Sequence, residues 1–198
     1  GQIVTYDDLE PIKSTINATN VTLNYSDASE TISVSDATGG QTTINSTAGE
    51  TVTFNHPTGL LRIYAGDAGA NTINVGGLAT SFPASLDISG GNGGDTANLN
   101  GAITLAADKS LSVEAATINL PNTSSDVATG GDGAISLNAD RNISLSSGSS
   151  LTTEHGDLTL NANMAGTGSG DFVGIEINDA TVQAIGAGPV SLHGQGGN

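Results

Sequence analysis

The chain has 198 residues, 28 of them glycine, with no cysteine and no tryptophan, so disulfide staples and thiol chemistry are excluded. Its only basic residues are Lys13, Arg62, Lys109 and Arg141 against 20 acids, and the net charge is −16. Nucleic acid and anionic membrane surfaces, which recruit clustered Lys and Arg, are excluded as partners, and no apolar stretch nears the ~20 residues that would insert into a membrane.

Residues 1–20 read as an extended segment or a contact to a neighbouring module; the acidic run Asp7, Asp8 and Glu10 precedes Pro11 and reads as a solvated segment or a contact. From residue 21 onward apolar residues recur at every second position between Gly, Asn, Asp and Ser punctuation, which predicts short strands and no amphipathic helix. Five segments align: Glu30–Val34, Glu50–Phe54, Asn71–Val75, Asp95–Leu99 and Ala116–Leu120. Each reads small or polar, Thr, apolar, polar, apolar, and the threonines (Thr31, Thr51, Thr72, Thr96, Thr117) recur at intervals of 20, 21, 24 and 21 residues. Beyond them apolar pairs begin at Ile103, Leu111, Ile118, Ile135, Ile143, Leu151, Leu158, Ile175, Val182 and Val190. Most of these steps are 7 or 8 residues. Two are 17, and each reads as a pair of ordinary steps whose middle strand has degraded into loop, at Asn122–Gly133 and Asn163–Gly170.

The expected fold is therefore all-β: a parallel β-solenoid, or right-handed β-helix, over residues 21–198. It has about three short strands and roughly 21 to 24 residues per turn. A β-sandwich also suits short strands, but it has no reason to keep a constant offset between like motifs. In such a coil Ile32, Val34, Val52, Phe54, Ile73, Val75, Leu99, Ile118 and Leu120 stack inside, while the threonines and the series Ser33, Thr53, Asn74, Asn98, Asn119 form outward ladders.

The column ahead of the threonines, Glu30, Glu50, Asn71 and Asp95, is the candidate site. Stacked carboxylates repel by about 1 kcal/mol per pair even in water, so exposure or a divalent cation must offset them. Gly90-Gly91-Asn92-Gly93-Gly94-Asp95-Thr96-Ala97 satisfies the calcium-binding pattern G-G-x-G-x-D-x-U, and Gly66–Ile73 is a degenerate copy 24 residues earlier. Calcium (Ca2+) at Asp95, with Asp67, Asn71 and Asn92 as co-ligands, is the expected cofactor; the alternative is that the glycines simply make a turn.

Nucleophile elbows, phosphate loops and H-E-x-x-H are absent. Glu154-His155-Gly156-Asp157 is the one tight group of acids and imidazole and reads as a solvated corner; His56 and His193 have no partner in the sequence. The expectation is a non-catalytic module. Its alternatives are a carbohydrate-binding module and a β-helical polysaccharide lyase or hydrolase, the latter poorly supplied with aromatic platforms by three Tyr and three Phe. Six Asn-x-Ser/Thr sequons begin at Asn17, Asn20, Asn24, Asn45, Asn122 and Asn142.

Three segments carry a resemblance: Val4–Ile12, the glycine-rich run through Asp95, and Ala139–Leu145 with Gly156–Leu160. They resemble repeats of very large bacterial surface proteins similar to filamentous-haemagglutinin-type adhesins. The resemblance implies a secreted, extracellular or cell-surface β-helical stalk that serves structure or adhesion. It implies no catalytic residues. Its expected partners are copies of itself end to end, either covalently in tandem or non-covalently in a filament, through the uncapped Gly194–Asn198 end, and extracellular glycans or other cells.

Overall fold

The computed structural model describes residues 11–197. No helix occurs among them. The strands are β1 (Ile12–Ser14), β2 (Asn20–Asn24), β3 (Thr31–Ala37), β4 (Gln41–Ser46), β5 (Val52–Asn55) and β6 (Leu60–Tyr64). Next come β7 (Thr72–Val75), β8 (Ser85–Ser89), β9 (Thr96–Leu99), β10 (Ile103–Ala107), β11 (Leu111–Leu120) and β12 (Asp126–Gly130). The last six are β13 (Ile135–Leu145), β14 (Ser150–Thr153), β15 (Leu158–Ala162), β16 (Ile175–Ile177), β17 (Thr181–Ala184) and β18 (Val190–Gly194).

The protein is all-β and its sheets are largely parallel: the only antiparallel strand pairs among the described residues are those of β4 with β3 and with β5. Three parallel ladders account for most of the chain. The first runs β2, β6, β8, the start of β11, the start of β13, β15 and β18. The second runs β3, β7, β9, the end of β11, the end of β13 and β16. The third runs β10, β12, β14 and β17, with Phe82 bridging Leu105 one step earlier. From β8 onward the chain visits the first, second and third ladders in that order. A connection between parallel neighbours must cross over, and these crossovers are made by the other two ladders rather than by a helix.

Alternation places every second side chain inside. Ile32, Ile73, Ala97, Ile118 and Ile143 stack in the second ladder and are all fully buried, as are Leu86, Leu111, Ile135 and Leu158 in the first. The interior is aliphatic, with Phe54 and Phe82 its only buried Phe residues. Outward side chains pair along the ladders: Asn98 Nδ2 donates to Asn74 Oδ1 and Asn119 Nδ2 to Asn98 Oδ1, each at 2.9 Å. Such an amide ladder satisfies the exposed face of a parallel sheet without opposed charge.

Three details depart from the expected repeat. Thr31, Thr72, Thr96 and Thr117 lie in register, but Thr51 does not join them: Glu50–Phe54 belongs to the last arm of a β3–β4–β5 meander, with β4 between it and β3, and Thr53 faces Thr43 of β4. Gly39 and Gly40, at φ 82° and 76°, make the reversal after β3 possible, and Phe54 then packs on the core from an antiparallel arm. The segment Asn122–Gly133 is no degraded strand, because β12 runs through it with Val127 buried and paired to Ile103. The second long step differs: it is a single corner between β15 and β16, lengthened by an inserted loop around 163–170. Of the segment expected to be extended, β1 pairs in parallel with β5; Val4–Glu10, with the acids Asp7, Asp8 and Glu10, lies outside the described residues, as does Asn198.

Candidate functional site: a stacked corner and the groove beside it

The chain turns from the first ladder to the second at one corner, where glycine-rich segments lie on top of one another. A Cβ on Gly91 would stand 1.9 Å from the Gly66 carbonyl oxygen, and one on Gly93 would stand 1.5 Å from that of Gly69. The glycines of the G-G-x-G-x-D run therefore let backbone touch backbone between neighbouring passages.

At this corner the backbone N–H groups have no strand partner, and the polar column supplies one. Asn71 Oδ1 accepts the Glu30 N–H at 2.9 Å, and Asp95 Oδ1 accepts the Asn71 N–H at 2.7 Å. Asn71 also donates through Nδ2 to the Ala65 carbonyl at 3.0 Å, and Ser46 Oγ donates to Glu30 Oε2. Buried polar groups have to be paired in this way. Asp95 is fully buried, and its Oδ2 has no partner among the described residues.

The four residues expected to hold calcium fall into two pairs. Asn71 and Asp95 stack inside the corner, while Asp67 and Asn92 sit exposed on its rim, joined by an Asn92 Nδ2 to Asp67 Oδ1 bond of 2.9 Å. Glu50 is removed from the column by the meander. The oxygens of Asn71 and Asp95 that face the stack are already engaged by backbone amides, so Asp95 Oδ2 is the inner oxygen left for a cation.

Beside the corner, the outward face of the first ladder forms a groove. One row carries Arg62, Asp87, Ser112 and Ser136; the next carries Tyr64, Ser89, Glu114, Asn138 and Asn161. Arg62 grips Asp87 through Nε at 2.8 Å and Nη2 at 2.5 Å. A hydrogen bond to the Asp67 carboxylate, followed by burial and nearby acids, pushes the Tyr64 phenol up to about 12, so it stays a neutral donor. The groove ends in a cavity of about 720 Å3 roofed by the 163–170 loop. Asn163 builds that roof: it adopts φ 51°, accepts the Gly168 N–H on Oδ1 at 2.9 Å, and donates to the carbonyls of Gln195 and Gly196 at 3.2 and 3.3 Å. Arg141 lies at the cavity with its guanidinium 4.9 Å from the centre of the Phe172 ring.

The remaining candidates are simpler. Glu154 and His155 are half exposed and 3.7 Å apart, with Glu154 Oε2 accepting the Gly131 N–H at 2.7 Å, which makes them a solvated corner. His56 does have partners, all distant in sequence: Thr42 Oγ1 at 2.9 Å, Asp36 at 3.3 Å and the edge of Phe82 at 5.2 Å. His193 meets Ser191 Oγ at 2.9 Å on the open face. Comparison with known protein families, curated proteins and solved structures finds no match to this chain.

Proposed function

We propose that the three ladders form one right-handed β-helix, and that it serves as a non-catalytic structural and adhesive module of an extracellular or cell-surface protein of the filamentous-haemagglutinin type. The observation that carries this reading is the state of the last passage. Ile177, Val190 and Leu192 occupy inward positions of the ladders yet are 41%, 41% and 40% exposed, whereas Leu145, Leu158 and Leu160, their partners one passage earlier, are buried completely. β16, β17 and β18 also present unpaired strand edges among the described residues, which is the form that accepts another parallel strand.

The proposed occupant is a second copy, end to end. β2 pairs only with β6 and β18 only with β15, so each of these strands keeps one unpaired edge among the described residues. Joining β18 of one copy to β2 of the next sets Val190 and Leu192 over the partly buried Val21 and Leu23. A head-to-tail contact of this kind grows into a filament rather than closing. Sedimentation velocity across a hundredfold range of concentration is expected to show growing species for the wild type and a monomer for Leu192→Asp. Concentration-independent monomers of both would overturn the end-to-end contact.

Calcium belongs to the same proposal as a stiffener of the corner, with Asp95 Oδ2 as its inner ligand and the Asp67–Asn92 pair on the rim.

A further inference from the structure

We propose that the groove along the first ladder, from Arg62 to the cavity under the 163–170 loop, binds an uncharged, hydroxyl-rich oligosaccharide. The inference rests on the adhesive reading above and gives it a ligand class.

Length points to a chain rather than a single unit. The outward face crosses six strands from β2 to β15, and neighbours spaced about 4.8 Å apart make it roughly 24 Å long. Asn138 and Asp140 line both the cavity and the adjoining stretch of groove, and Tyr64 and Glu114 line that stretch and the next, so the surface is continuous. The cavity at its end lies within the ~300–1,000 Å3 range of ligand sites. Its roof is a fixed part of the protein, since Asn163 ties the loop both to itself and to the following passage.

Chemistry points to hydroxyls. The groove sets donors and acceptors side by side: Asn161 spends its Nδ2 on Asn138 Oδ1 at 2.9 Å, which leaves Asn161 Oδ1 as an acceptor and one N–H of Asn138 Nδ2 as a donor. Asp140 and Arg141 stand exposed at the cavity and form no ion pair among the described residues. With Arg141 stacked on Phe172, its fork of donors is held in place rather than free to sample solvent. A sugar hydroxyl both donates and accepts, and a vicinal pair matches an acceptor beside a donor. Exposed Met164 supplies an apolar contact at the same cavity.

Charge and backbone rule out the rivals. Asp67, Asp87, Glu114 and Asp140 line the groove against Arg62 and Arg141, and Arg62 is already neutralised by Asp87. A polyanionic glycan would meet net repulsion there, as would any nucleic acid. An extended peptide recognised by strand addition needs a free sheet edge, and this is the face of a sheet with both neighbours in place.

The test is affinity electrophoresis of the whole chain through gels containing dextran, mannan, xyloglucan or laminarin, with polygalacturonate as the charged comparison. The expected result is retardation by at least one uncharged polymer, weakened at least tenfold in both Asn161→Ala and Arg141→Ala and unchanged in Gln183→Ala, whose side chain lies on the third ladder. Unchanged melting of the variants confirms that they remain folded, and both replaced side chains reach the surface. Retardation by polygalacturonate alone, by none of the polymers, or as strongly in both groove variants as in the wild type would overturn the proposal. Leu192→Asp separates the two readings: it is expected to abolish end-to-end association while leaving retardation intact.

Discussion

Gly93→Ala is expected to destabilise the protein by about 3 kcal/mol, although alanine is the smallest side chain that can be added. The new Cβ would lie 1.5 Å from the Gly69 carbonyl oxygen, and that oxygen is backbone, so no rotamer relieves the overlap. Relief requires the two corner segments to part, which would stretch the bond from the Asn71 N–H to Asp95 Oδ1 beside them. Gly94→Ala is the control. Gly94 holds φ 81° with nothing within 4 Å of a new Cβ, so it carries only the left-handed backbone penalty of about 1–2 kcal/mol. Urea unfolding of the two variants at equal m-value compares the costs directly. A loss at Gly93 no greater than at Gly94 would mean that the passages do not stack as closely as the structure has them.

That comparison also explains how one motif supports two readings. G-G-x-G-x-D at 90–95 is written the same way whether its glycines present carbonyls to a cation or let one backbone rest on another. Only the position of Gly69 beneath Gly93 distinguishes these, and that is a relation between residues of different passages. The inward and outward alternation of Ile73, Val75, Leu99, Ile118 and Leu120 was legible because it is local, and so was the register of Thr72, Thr96 and Thr117. The meander that opens at Gly39-Gly40 was not: Glu50–Phe54 carries the strand alternation and, after two reversals, again runs in the direction of β3, so it passes for another repeat. His56 shows the same limit. Asp36, Thr42 and Phe82 come to it through the meander and the third ladder, and no spacing along the chain announces them. The cavity was hidden because its loop looked like a lost strand. The local signal was Asn163 ahead of Gly166, Gly168 and Gly170, an Asn suited to a left-handed position leading a glycine-rich loop.

The column at Glu30, Asn71 and Asp95 leads to the second large effect, a gain. Asn71 uses both ends of its amide, one on the Glu30 N–H and one on the Ala65 carbonyl six residues before it. Asp95 repeats the first of these bonds on the Asn71 N–H but has no donor for the second, so its Oδ2 is buried without a partner among the described residues. The carbonyl six residues before Asp95 is that of Ser89, which accepts the Ala65 N–H at 2.9 Å and keeps a second lone pair. Asp95→Asn places an N–H where Oδ2 was, in the arrangement already present at Asn71. An unmade bond at a buried polar atom costs about 1–3 kcal/mol, so in the presence of chelator the Asn variant is expected to melt above the wild type. The gain is about 2–4 °C per kcal/mol for a chain of this size. Asp95→Ala removes the acceptor of the Asn71 N–H as well and is expected to melt below both. Calcium, with magnesium as control, reverses the first order if it binds Oδ2: it raises the melting temperature of the wild type and leaves Asp95→Asn where it was, because binding to the native state alone is what shifts the transition. A wild type indifferent to calcium, with Asp95→Asn the more stable in every buffer, would retire the cation and leave Asp95 as a backbone cap one hydrogen bond short of its neighbour.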